Sequence, residues 1–240
     1  VGAILLIEDD DPISALLRDH LHRRGHQVTL LREGEAALAH VRELALGRAS
    51  PPDLVVLDVM LPHRDGLEVC AALRSCPLRR QPIVLLLTAK SSEEDAIAGF
   101  AAGADDYVRK PFSVGELVVR IDALLALAAR WARAAERCPV TLVCRSGLRI
   151  DLAARTVDVG GAPVALTPKE HDLLVFLASK AGVAVERQQL LFEVWGYSHT
   201  GYARTVDWHV ARLRRKLDAL GVAPDPIVTV HGFGYRFEAS

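Results

Sequence analysis

Five short apolar runs in the first half of the chain end in, or run into, charged or hydroxyl residues. They are AILLI (3–7), QVTLL (27–31), DLVVLD (53–58), PIVLLL (82–87) and DDYVRK (105–110). Helical, amphipathic stretches separate them. Near-continuous apolar strands alternating with helices predict a parallel sheet covered on both faces, because each strand must be buried from two sides. The expected fold class of this half is therefore α/β, a doubly wound five-stranded parallel sheet. Asp11 is the expected N-cap of the first helix, with Pro12 at its first helical position, and Ser113 with Glu116 has capping-box spacing at the start of the last.

The pattern changes between Trp131 and Arg145, where Cys138-Pro139 ends a long fifth helix. We expect a first domain over residues 1–130, the helix end and a linker over 131–145, and a second domain over 146–240. The period becomes two over 140–166, and GLRIDL, RTVDVGG and APVAL read as a small antiparallel sheet turning at Gly160-Gly161. Thr167, Pro168 and Glu170 open the first of three helices, and IVTVHGFGYRF closes as a hairpin around Gly232 and Gly234. The second domain is thus expected to be α+β.

Net charge over the chain is −1, but it divides unevenly. Residues 1–125 hold 14 Lys and Arg against 19 Asp and Glu, while residues 126–240 hold 15 against 11. The second half suits a polyanion and the first a cation. No apolar run approaches a membrane span, and the start VGAILLIEDDD reads as a strand and not a signal peptide, so a cytoplasmic location is expected. Cys70, Cys76, Cys138 and Cys144 lack metal-site spacing and read as free structural thiols.

Ligands of parallel α/β sheets sit beyond the carboxyl ends of the strands. Glu8, Asp9 and Asp10 follow the first strand, Asp58 ends the third, Thr88 follows the fourth and Lys110 the fifth. Crowded carboxylates repel, so either a divalent cation joins them or some carry protons; with hard oxygen donors the natural ion is Mg2+. A phosphoryl group on Asp58 would suit the remaining groups, its oxygens balanced by the cation and Lys110 and bonded by Thr88.

Through ILLIEDDDP, LDVMLPHRDG, LLLTAK and ADDYVRKPF, residues 3–125 resemble the receiver domain of two-component response regulators, a flavodoxin-like fold. The resemblance implies that Asp58 is the phospho-acceptor for a sensor histidine kinase. It also implies that Asp9 and Asp58 bind Mg2+ directly, that Glu8 acts through water and that Met60 offers its carbonyl. Thr88, Tyr107 and Lys110 become switch residues, with a cis bond between Lys110 and Pro111.

In the basic half, Val206, Val210, Leu213, Leu217 and Leu220 form a helical stripe that must face a core. The same spacing places Thr205, Trp208, Arg212 and Arg215 on the opposite, exposed side, which suggests a DNA interface. Through LTPKEHDLLVFLASKAG, LLFEVWGY, RTVDWHVARLRRKL and TVHGFGYRF, residues 146–238 resemble the winged-helix effector domain of the OmpR/PhoB type. That makes 204–220 the recognition helix, 227–237 the wing and 196–203 a loop toward RNA polymerase. Arg204, Thr205, His209, Arg212 and Arg215 become contacts to promoter DNA, whereas Trp195 reads as core. Trp208 departs from the small aliphatic residue usual there, Ala211 from a basic one, and His231 from a wing Arg.

The resemblance further implies homodimers through helix 4, strand 5 and helix 5. Asp106 and Arg120 can make one of the expected pairs. Ala96 stands where a basic partner for Glu116 is expected, and Asp122 where a lysine would face Asp105. An aspartyl phosphatase, the main enzyme alternative, needs a second acid where Met60 stands, so a regulator and not an enzyme is expected. A regulator that works by partner binding alone, without phosphate, is the other alternative.

Overall fold

Apolar continuity builds the first sheet. β1 (Ala3–Ile7), β3 (Leu54–Asp58) and β4 (Ile83–Thr88) are buried almost throughout, while β2 (Gln27–Leu31) and β5 (Asp106–Arg109) form the edges. The computed structural model describes residues 1–78, 80–89, 93–137, 141–143, 147–151, 154, 156–197 and 204–239, which form two units, Val1–Leu125 and Ala126–Ser240. In the first unit all five strands are parallel, in the order β2-β1-β3-β4-β5. The connections are α1 (Asp11–Arg23), α2 (Gly34–Ala45), α3 (Gly66–Ser75) and α4 (Glu93–Ala102), and α5 (Val114–Arg137) follows β5. This is the expected doubly wound, flavodoxin-like sheet. Its order reverses between β1 and β3, which opens a crevice at their carboxyl ends.

Helix α1 begins one residue from where the sequence placed it. Asp10, not Asp11, is the N-cap, its side chain accepting the Ile13 amide at 2.8 Å. Two adjacent acids can each cap a helix, and the chain path out of β1 decides between them. Helix α3 starts so close to the end of β3 that a Cβ on Gly66 would lie 2.1 Å from the Asp58 carbonyl oxygen. Glycine is the residue that position admits.

The second unit opens with four antiparallel strands, β6 (Thr141–Val143), β7 (Leu148–Asp151), β8 (Thr156–Val159) and β9 (Ala162–Pro163). Three helices follow, α6 (Pro168–Ser179), α7 (Arg187–Trp195) and α8 (Arg204–Asp218), with β10 (Ala184–Glu186) between the first two. A hairpin of β11 (Ile227–Val230) and β12 (Gly234–Phe237) joins β10 in the order β10-β12-β11. Thr167 and Glu170 make the reciprocal capping box that the sequence announced. Leu173, Leu177, Leu190, Val194, Trp195, Val206, Val210, Leu213 and Leu217 fill the core. Leu220, expected among them, lies past the end of α8 and is exposed.

Candidate functional site

The crevice at the ends of β1 and β3 gathers the acidic residues. Glu8 is fully buried, Asp58 nearly so and Asp9 exposed, and each offers a carboxylate oxygen within 4.8 Å of the others. Asp58 Oδ1 accepts the Met60 amide at 2.9 Å, while Oδ2 accepts Lys110 Nζ at 2.7 Å. Lys110 also donates to both Glu8 oxygens at 2.9 Å. Burial pushes the Glu8 carboxyl up to about 7, with the bond from Lys110 opposing and the Asp58 charge adding to the rise. For Lys110, burial acts downward, but the bonds to Asp58 and Glu8 outweigh it and raise the ammonium above its ordinary value. The Lys110-Pro111 bond is cis. The Met60 side chain points to solvent.

Thr88 and Tyr107 end and line the neighbouring strands. Both are buried, and both border a small cavity with Val59, Leu86 and Phe100. The Tyr107 ring is turned inward and meets Phe100 edge-on at 5.6 Å between centroids.

The expected dimer-face residues occupy different settings. Asp106 and Arg120 are buried and face each other within one chain at 3.9 Å, and Arg120 donates to the Tyr107 carbonyl at 3.1 Å. In the single chain, the pair expected between strand 5 and helix 5 thus lies between β5 and α5, buried. Glu116 is exposed. Asp105 is held by Arg74 and the Val84 amide, and Asp122 by Arg24 and His26, so neither carboxylate is an uncompensated like charge. The side chain of Ala96 lies outside the described residues.

On α8 the exposed stripe is Arg204, Ala211 and Arg215, with Trp208 half-buried beside it. Thr205, His209 and Arg212, expected outside, are buried. His209 Nδ1 bonds the Thr205 carbonyl at 2.8 Å and its ring meets Trp195 edge-on at 4.9 Å. Arg212 Nε lies 3.0 Å from the buried Glu170 carboxylate, which also takes Lys216 at 2.6 Å. The physical reason is the charge of Glu170: a buried carboxylate recruits the cations within reach. His231 is exposed at the turn of the β11–β12 hairpin. Residues 198–203 of the expected polymerase loop lie outside the described residues, as do Cys138 and Cys144.

Sequence reasoning passed over Arg187, Asp207, Arg214 and Tyr235. Asp207 Oδ1 accepts Arg187 Nε at 2.8 Å and the Tyr235 hydroxyl at 2.6 Å. Arg214 bonds Asp225 at 2.6 Å, Thr229 Oγ1 at 3.0 Å and the Ile227 carbonyl. Asp207, an acid in the first turn of the basic helix, was the available signal.

Comparison with known proteins agrees with this division. Residues 4–122 match the family described as response regulator receiver domain, and residues 161–237 match transcriptional regulatory protein, C terminal. The transcriptional regulatory protein ResD of Bacillus subtilis is 40% identical over 237 residues, 98% of this chain and 95% of ResD. The DNA-binding response regulator MtrA of Mycolicibacterium smegmatis is 40% identical over 233 residues, 97% of this chain and 95% of its own. A solved structure of a RitR mutant is 28% identical, covers 100% of both chains and gives a TM-score of 0.76. No helix among the described residues is long and apolar enough to cross a membrane. The chain belongs to the two-component response regulators that join a receiver domain to an OmpR/PhoB-type winged-helix DNA-binding domain.

Proposed function

We propose that Asp58 is the phospho-acceptor of this regulator, that a sensor histidine kinase supplies the phosphoryl group, and that Mg2+ is required. The observation that carries the reading is the convergence of Glu8, Asp9, Asp58 and Lys110 at the point where the strand order reverses. Three carboxylates in one crevice are hard oxygen donors of the kind a small divalent cation takes. Asp9 and Asp58 would hold the ion directly, with the Met60 carbonyl, and Glu8 through water. Bound there, the cation would neutralise charge on the phosphoryl oxygens.

In the transfer itself an Asp58 oxygen forms the new O–P bond as the N–P bond of the kinase's phosphohistidine breaks, and the freed imidazole nitrogen takes a proton. Lys110 balances the new charge and Thr88 bonds a phosphoryl oxygen. Tyr107 then holds its inward position. The product is an acyl phosphate on the protein itself, so the reaction is self-modification without turnover of an external substrate. Exposure of wild-type protein to Mg2+ and a small phosphodonor such as phosphoramidate is expected to give a base-labile, hydroxylamine-sensitive phosphate. Asp58→Asn or removal of Mg2+ by EDTA is expected to abolish it. Equal labelling of Asp58→Asn would overturn the assignment.

The output is promoter binding in the cytoplasm. Arg204, Trp208 and Arg215 enter the major groove on the exposed side of α8, and His231 on the wing approaches the minor groove. Homodimerisation through α4, β5 and α5 and contact with RNA polymerase rest on the family resemblance.

A further inference from the structure

The acid in the first turn of the recognition helix is the unexplained part of a basic element. Asp207 sits in the first turn of α8, where a carboxylate facing phosphates would oppose DNA binding. Its oxygen Oδ1 instead collects two donors from different elements, Arg187 at the start of α7 and Tyr235 on β12. Tyr235 is only 5% exposed, so its hydroxyl depends on that acceptor. Both Arg187 and Arg214 lie over the Tyr235 ring, at 5.1 and 5.7 Å from its centroid. Arg214, about two turns further along α8, is bound to Asp225, Thr229 and the Ile227 carbonyl at the start of β11. The Arg187 amide bonds the carbonyl of Phe233 in the wing turn at 3.4 Å.

We infer that Asp207, with Tyr235 and Arg187, locks the wing to the recognition helix, so that the major-groove and minor-groove contacts are held at a fixed spacing. These are positioning residues: none needs to touch a base. The hairpin is anchored to β10 and to the core by Ile227 and Phe237, so what these three residues add is the placement of the wing against α8, the distance that lets one protein face read two grooves together. The inference rests on the proposed placement of α8 in the major groove and the wing in the minor groove.

Two measurements on the full chain separate the lock from that placement. Amide hydrogen exchange without DNA compares wild type with Tyr235→Phe, which keeps the ring and removes only the hydroxyl. Exchange of residues 227–237 is expected to rise about fivefold, the effect of losing roughly 1 kcal/mol, while α6 and β7–β8 stay unchanged. Exchange unchanged in the wing, or raised equally everywhere, overturns the lock. Asp207→Asn, which keeps an acceptor for Tyr235 but loses the charge facing Arg187, is expected to fall between the two.

Dimethyl sulfate protection then uses a duplex selected by the wild-type protein from a random library. The reagent reports guanine N7 in the major groove and adenine N3 in the minor groove. Wild type is expected to protect both, and Tyr235→Phe to keep guanine and lose adenine protection. Retained adenine protection in Tyr235→Phe counts against the lock. Adenine protection missing already in wild type overturns the groove placement instead, and the exchange result still judges the lock.

Discussion

Arg212 and Arg215 stand three positions apart on α8, yet their surroundings assign them opposite work. Arg212 is buried against Glu170, whereas Arg215 is exposed. Arg212→Ala leaves Glu170 buried with Lys216 as its remaining cation, and removing one partner of a buried pair costs about 3 kcal/mol. A lowered urea midpoint is the expected result. Arg215→Ala is expected to change stability by less than about 0.5 kcal/mol and to reduce the salt slope of DNA binding by about 0.9 if it meets a phosphate. In the same titrations, Trp208→Ala is expected to alter sequence preference, the result if its indole edge packs on thymine methyls or sugars. An unchanged urea midpoint in Arg212→Ala, or unchanged DNA binding in both of the others, contradicts these roles. The sequence could not separate the two arginines, because a helical wheel puts both on the side away from the inner stripe. The Arg212 side chain turns toward Glu170, a carboxylate on α6 that only folding brings near. The acid pocket was legible because a parallel sheet carries the residues at its strand ends to one edge, whatever the details of packing.

At the scale of elements, the wing and α8 share a titrating contact. Burial, then the bond to Asp207 and its charge, push the Tyr235 hydroxyl up to about 12, with the nearby Arg187 opposing. An unfolded tyrosine titrates near 10, so the folded state holds this proton more tightly. The associated stability is complete below about pH 10 and is lost as the pH rises toward about 12. Urea midpoints measured from pH 9 to 11.5 are therefore expected to fall more steeply in wild type than in Tyr235→Phe. Parallel slopes would contradict the contact. The strands and helices themselves were read with small errors, such as Asp11 for Asp10 as the cap of α1, since four consecutive acids, Glu8 to Asp11, offer more than one cap. Contacts like Asp207–Tyr235 escaped because neither residue stands out by spacing; the pair forms only when hairpin and helix meet.

For the whole molecule, the question is whether the phosphoryl state proposed for Asp58 changes DNA binding. Asp105 and Asp122 are each paired with cations of the receiver unit, so neither would bring an uncompensated negative charge to dimers through α4, β5 and α5. Sedimentation with beryllium fluoride and Mg2+ is expected to give a dimer, and an unchanged monomer would argue against that route. Coupling between two sites of one protein amounts to about 1–3 kcal/mol, or roughly 5–150-fold in affinity. The most direct test is the Kd for the selected duplex with and without beryllium fluoride, in wild type and in Asp58→Asn. The account predicts a change of about fivefold or more in wild type and none in Asp58→Asn. Equal affinity in wild type with and without the phosphoryl mimic would contradict it.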